Sequence, residues 1–153
     1  MAAVSSDTDA PQQTIVTLDL EGVLVPEIWI AVAERTGIPE LRRTTRDEPD
    51  YDVLMKGRLA IIDHHGLTMS TIADVISGLG PMEGAKDFLD RLRERTQVVI
   101  LSDTFEQFGA PLMRHLGMPT ILCHQLIVRD DRIVDYRLRM PDQKRHAVNA
   151  FRG

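Results

Sequence analysis

A single cysteine, Cys123, in 153 residues excludes an internal disulfide and a cysteine-rich zinc site, and suits a reducing, cytoplasmic setting. Aromatic residues are few, with one Trp, two Tyr and four Phe, so aliphatic side chains must build most of the core. No window approaches the roughly 18 uninterrupted apolar residues of a membrane span. There is no basic excess: 18 Lys and Arg against 23 Asp and Glu leave a net charge of −5, which argues against nucleic acid and an anionic membrane surface as partners. An anionic ligand would have to be met locally, by a metal, a helix N-terminus or a few placed cations. Met1–Gln13 lacks Lys, Arg and any apolar stretch, and reads as a disordered tail rather than a signal peptide.

What is present is globular composition, 43% apolar and 27% charged, in a chain of one domain's length. Thr14–Leu20 (TIVTLDL) is a β-branched run ending in Asp19 and Glu21-Gly22, which predicts a buried strand and a turn. Pro26 opens a helix over Glu27–Thr36 with Ile28, Trp29, Val32 and Ala33 on one side and Gly37 as its stop. Tyr51–His65 is the most regular helix. At 100° per residue, Leu54, Met55, Leu59, Ile61 and Ile62 fall within about 80° of Tyr51. Arg58 and His65 fall in the same apolar stripe, which predicts a buried environment for both. Thr68–Leu79 is a further helix. Ala85, Phe88, Leu89 and Leu92 have the spacing of an amphipathic helix.

Gln97–Leu101 (QVVIL) predicts a second strand ending at Ser102-Asp103-Thr104, with a helix following through Leu116, kinked or restarted at Pro111. Thr120–His124 is a third short strand. Leu126–Val128 and Arg132–Arg139 flank Asp130-Asp131 as a hairpin, and Asp142 is placed to cap a last helix containing Lys144. This order predicts an α/β fold: a Rossmann-like parallel sheet over residues 14–26 and 80–153, with an all-helical cap inserted at residues 27–79.

Ligands of open α/β sheets bind beyond the carboxyl ends of the strands. Asp19 and Ser102-Asp103 stand at two such ends, and Lys144 stands at a helix start. Phosphoryl transfer suits these residue types. Asp19 can attack phosphorus, and Glu21 can protonate the leaving oxygen and then activate water. Ser102 and the backbone N–H groups after it can bind phosphoryl oxygens, and Lys144 can supply fixed positive charge. Taken singly, each residue has a bland reading: turn residue, helix cap or solvated charge. The ordered set carries the weight.

The stretches Asp19–Leu24 (DLEGVL), Leu101–Asp103 (LSD) and Lys144 resemble the first three motifs of the haloacid dehalogenase superfamily. Asp19–Ile30 (DLEGVLVPEIWI), Thr44–Asp52 (TTRDEPDYD) and Val98–Thr104 (VVILSDT) are similar, more closely, to its branch of bifunctional phosphoserine phosphatases and homoserine phosphotransferases. The resemblance covers residues 14–153. It implies a nucleophile at Asp19, an acid/base at Glu21, and Mg²⁺ held by Asp19 and Glu21. It also implies a phosphate cradle of Ser102, Asp103 and Lys144. Glu27 and Arg58 would meet the substrate's ammonium and carboxylate, with Tyr51 lining the pocket. The expected substrate is O-phosphoserine, with homoserine as a further acceptor.

The superfamily's later Gly-Asp motif, source of another metal carboxylate, does not occur in the sequence. The expectation is therefore a C-terminally truncated member: a phosphatase or phosphotransferase by family, or a fragment or pseudo-phosphatase that binds a phosphorylated amino acid without turnover. A receiver-type phospho-acceptor domain fits less well, because that module carries an acid pair after its first strand and its acceptor Asp after the third. Arg58 keeps a second reading, an internal salt bridge or snorkelling stem. Cys123-His124 reads as strand packing, His64 as unassociated with any metal spacing, and His65 as a satisfied buried histidine.

Overall fold

The computed structural model describes residues 13–153, so the tail expected at the N-terminus lies, apart from Gln13, outside the described residues. The elements run β1 (Ile15–Leu18), α1 (Ile28–Thr36), a 3-10 turn (Pro39–Arg42), α2 (Tyr51–His64), α3 (Met69–Ser77), α4 (Ala85–Arg93), β2 (Gln97–Phe105), α5 (Glu106–His115), β3 (Thr120–Arg129), β4 (Arg132–Arg137) and α6 (Gln143–Arg152). The strands form one sheet in the order β1-β2-β3-β4. β1 with β2 and β2 with β3 are parallel, and β3 with β4 is antiparallel. An α/β sheet is therefore present, its parallel part closed at one edge by an antiparallel hairpin strand.

Local chemistry accounts for the helix ends. The Asp50 carboxylate accepts from Val53 N at 3.1 Å and caps α2. The Thr68 hydroxyl accepts from Thr71 N at 3.2 Å and caps α3. Gly37 ends α1 at φ 71°, in the left-handed region that favours glycine. The core gathers Leu20, Ile28, Val32, Met55, Ile100 and Phe108, all fully buried.

Several expectations change. β2 does not stop at Leu101 but runs to Phe105, and α5 begins only at Glu106, so no helix N-terminus directly follows Ser102. The two strand pieces expected around Gln125 are one continuous strand, β3, because nothing between His124 and Leu126 turns the chain. Pro111 lies inside an unbroken α5. His65 is exposed rather than buried. α2 ends at His64, which leaves His65 as the cap residue beyond the last turn. On α4 the line of Ala85 and Leu89 is buried, while Phe88 is 51% exposed, so only part of the amphipathic face meets the sheet. Asp142 sits at the N-cap position of α6 without a capping bond, and its carboxylate pairs instead with Arg145 Nε at 2.5 Å.

Candidate active site

The site begins in an irregularity of the sheet. Leu101 pairs with Leu122 and Phe105 with His124, so Ser102, Asp103 and Thr104 on β2 oppose Cys123 alone on β3. Such a bulge re-aims side chains at a sheet's functional edge. It takes Ser102 and Asp103 out of the regular ladder and beside Asp19, the residue that follows β1.

After Asp19 the chain folds tightly on itself. Leu24 N donates to Leu20 C=O at 2.8 Å, and Gly22 N donates to Val25 C=O at 2.7 Å. Gly22 has φ +73°, and a Cβ there would stand 3.5 Å from Glu27 Oε1. Glycine thus permits the left-handed turn, while a Cβ would meet Glu27 at no closer than an ordinary contact. The turn brings Glu21 Oε1 to Ile28 N, which donates to it at 2.9 Å.

One cavity of about 160 Å³ is lined by Asp19, Glu21, Glu27, Tyr51, Arg58, Ser102, Asp103 and Lys144, joined by Trp29, Thr44 and Thr45. All eight residues singled out in the sequence therefore share one cavity. Asp19 Oδ1 accepts from Leu20 N at 2.8 Å, while Oδ2 accepts from Lys144 Nζ at 3.0 Å. Burial raises Glu21 from the usual 4.5 to about 7, helped by the charges of Glu27 and Asp19 and opposed by the Ile28 N–H and Arg58. A carboxyl group poised near neutrality can both give and take a proton.

Arg58 is 7% exposed. Burial lowers its guanidinium to about 10, against the favourable influence of Tyr51, Glu21 and Glu27. The periodicity that put an arginine in an apolar stripe is realised, but without an internal salt bridge among the described residues.

The Asp103 carboxylate is held at the cavity wall by two neighbouring side chains. His124 Nε2 lies 3.2 Å from its Oδ1, and Gln143 Nε2 donates to the same oxygen at 3.2 Å. Its backbone carbonyl accepts from Tyr51 Oη at 2.8 Å. Gln143 Nε2 also donates to Ser102 C=O at 2.6 Å. The backbone N–H of Arg139 donates to His124 Nδ1 at 2.9 Å, so the ring proton sits on Nε2 and faces Asp103. These bonds lower the Asp103 carboxyl below its ordinary range, with the His124 bond as the largest cause. Ser102 Oγ accepts from Thr104 N at 3.2 Å, which leaves its own proton free to donate.

His124, Gln143 and Trp29 were not singled out by sequence reasoning. His124 is strand packing, as expected, but its ring also holds Asp103. Gln143, one residue before Lys144, is 2% exposed. Its neighbour's motif was the only signal that could have pointed to it. Trp29 was legible only as one more apolar residue on α1.

Asp19 offers a hard carboxylate oxygen, and Glu21 a backbone or side-chain oxygen, of the kind Mg²⁺ takes together with phosphate oxygens and water. Among the described residues no cluster of three or more His, Cys, Asp and Glu side chains is arranged to hold a cation. This small oxygen set suits a cation that draws part of its shell from a bound phosphate.

No protein-family model matches the chain. It is 66% identical over 140 residues to a protein of Pseudomonas syringae pv. tomato named phosphoserine phosphatase, a match spanning 91% of this chain and 59% of that protein. It is 64% identical, again over 91% of its length, to the phosphoserine phosphatase ThrH of Pseudomonas aeruginosa, and spans 68% of it. The chain thus spans about three-fifths to two-thirds of these curated relatives. Among solved structures, a phosphoserine phosphatase in apo form shares the fold at TM-score 0.74 and 18% identity, over 92% of this chain and 70% of that one. On the sequence match to both Pseudomonas proteins, the chain belongs to the phosphoserine phosphatase family.

Proposed function

We propose that this site transfers the phosphoryl group of O-phosphoserine through an aspartyl-phosphate on Asp19, to water or to homoserine, in a Mg²⁺-dependent reaction. The observation that carries the reading is the single cavity lined by the Asp19–Lys144 pair and by a buried Arg58 that forms no salt bridge among the described residues. One end suits a phosphoryl group and the other suits an amino-acid head. In this reading residues 27–79 act as a helical cap over the core of residues 14–26 and 80–153.

Asp19 Oδ attacks phosphorus, and the bond to the serine oxygen breaks. Glu21 gives that oxygen its proton, then takes one from the water or homoserine hydroxyl that attacks phosphorus as the Asp19–phosphorus bond breaks and frees the Asp19 carboxylate. A carboxyl near pH 7 does both readily. Lys144 Nζ and the Ser102 hydroxyl meet the charge on the phosphoryl oxygens. Glu27 receives the ammonium group and Arg58 the carboxylate, which holds the ester in line with Asp19. Mg²⁺, when bound, would be held by the Asp19 carboxylate and by Glu21 through its backbone, which leaves the Glu21 carboxyl for proton transfer, and would supply charge neutralisation at the phosphoryl group.

Binding without turnover is the second reading, favoured by the small carboxylate set among the described residues. The experiment that separates them is phosphate release from O-phosphoserine with Mg²⁺ and with EDTA, and formation of phosphohomoserine when homoserine is added. Mg²⁺-dependent release supports the first reading. Saturable phosphoserine binding with no release supports the second.

A further inference from the structure

Arg58 is the one Lys, Arg, Asp or Glu that is buried among the described residues. A buried cation without an ion-pair partner is costly, and three neutral contacts hold this one. The guanidinium carbon lies over the Trp29 ring, 4.6 Å from its centroid. Nη2 donates to Arg43 C=O at 2.9 Å, and Nη1 points at Met55 Sδ, 3.5 Å away. Nε has no partner among the described residues. Trp29 is fixed in turn, its ring meeting Phe108 edge-on at a centroid distance of 5.5 Å.

The choice of an aromatic platform has a chemical consequence. A protein carboxylate opposite Arg58 would neutralise it and occupy its N–H groups. An indole face stabilises the cation while taking none of its five donors. The planar group also loses little further freedom when a ligand arrives.

We propose that Trp29 is a positioning and specificity-determining residue: its indole face holds the guanidinium of Arg58, a cavity-lining residue, without occupying any of its donors, so that the group can pair with the carboxylate of an amino-acid phosphate. Trp29 then helps the site distinguish such an ester from phosphate alone. This role rests on the phosphoserine reading of the site.

Trp29 is the only tryptophan in the chain, so indole emission comes from this residue alone. The experiment measures calorimetric binding of O-phosphoserine and of inorganic phosphate to wild type, Arg58→Ala, Trp29→Leu and Trp29→Phe, all in EDTA, where the proposed Mg²⁺-dependent turnover does not consume the ligand. It also records the emission of ligand-free wild type and Arg58→Met. Trp29→Leu should weaken phosphoserine binding roughly three- to thirtyfold, the affinity equivalent of a partly desolvated cation–π contact, and change phosphate binding far less. Trp29→Phe should recover most of the loss, and Arg58→Met should shift the Trp29 emission. The role is overturned if Trp29→Leu binds phosphoserine like wild type while Arg58→Ala does not. Equal losses on both ligands in both Trp29 variants, or an emission spectrum indifferent to Arg58, also overturn it. Failure of wild type to bind phosphoserine overturns the functional reading and this role together.

Discussion

Lys144 Nζ lies 3.0 Å from Asp19 Oδ2 across 125 residues of chain, so the first residue after β1 meets the second residue of α6. Both side chains are substantially exposed, 40% and 46%, and exposed pairs of this kind contribute only about 0–1 kcal/mol to stability. The pairing matters more for position, because it sets a cation where phosphoryl charge would develop. Lys144→Met should therefore leave the melting temperature within a few degrees of wild type while lowering phosphate release by on the order of 10²–10³. Parallel thermal melts and phosphate-release assays check this split.

Glu21 gives a pH signature. Its folded-state value of about 7 lies above the ordinary 4.5, so the fold prefers the protonated form. That contribution is fully present below about pH 4.5 and is lost as pH rises through about 7. In EDTA, wild type should lose stability over this window relative to Glu21→Gln, which keeps a neutral side chain throughout. Denaturant titrations of both proteins at pH 5 and pH 8 measure the difference. A wild-type profile parallel to that of the Gln variant would contradict the shifted carboxyl.

Gln143 ties α6 to the bulge in β2, and its removal should act on both stability and rate. Gln143→Leu strands the buried Ser102 carbonyl and takes one donor from Asp103. An unsatisfied buried acceptor costs about 1–3 kcal/mol, which for a chain of this size lowers Tm by roughly 2–10 °C. Because Lys144 follows directly, kcat should fall more than KM rises. Steady-state kinetics on O-phosphoserine, alongside calorimetry, measure both effects.

Periodicity was enough to find α2 and the incongruous Arg58 within it, because a 3.6-residue repeat and an Asp50 cap act locally. The bulge was not legible. Ser102-Asp103-Thr104 after an apolar run carries the same signal as a helix cap, and only the register against β3, which pairs Phe105 with His124, separates the two. His65 lies on the apolar stripe by angle, yet the helix ends one residue earlier. Phe88 has core spacing on α4, but the packing surface available to that helix covers only Ala85 and Leu89. His124 and Gln143 carry no pattern of their own. Their burial follows from Ser102 and Asp103, 21 to 41 residues away in sequence, and such long-range polar satisfaction leaves no periodic trace. The roles proposed for Asp19, Glu21, Ser102 and Lys144 come from chemistry and family resemblance together, and the single cavity that holds them is what the fold adds.

The covalent step on Asp19 is the centre of the proposed function, and trapping it is the most direct measurement. Wild type and Asp19→Asn are incubated with ³²P-labelled O-phosphoserine and Mg²⁺, quenched in acid, and counted after gel separation. The amide is a poor nucleophile. Wild type is expected to carry acid-stable, hydroxylamine-labile label that maps to the peptide containing Asp19, and the Asn variant none above background. Equal label in both proteins, or label mapping to any other residue, would contradict an aspartyl-phosphate at Asp19.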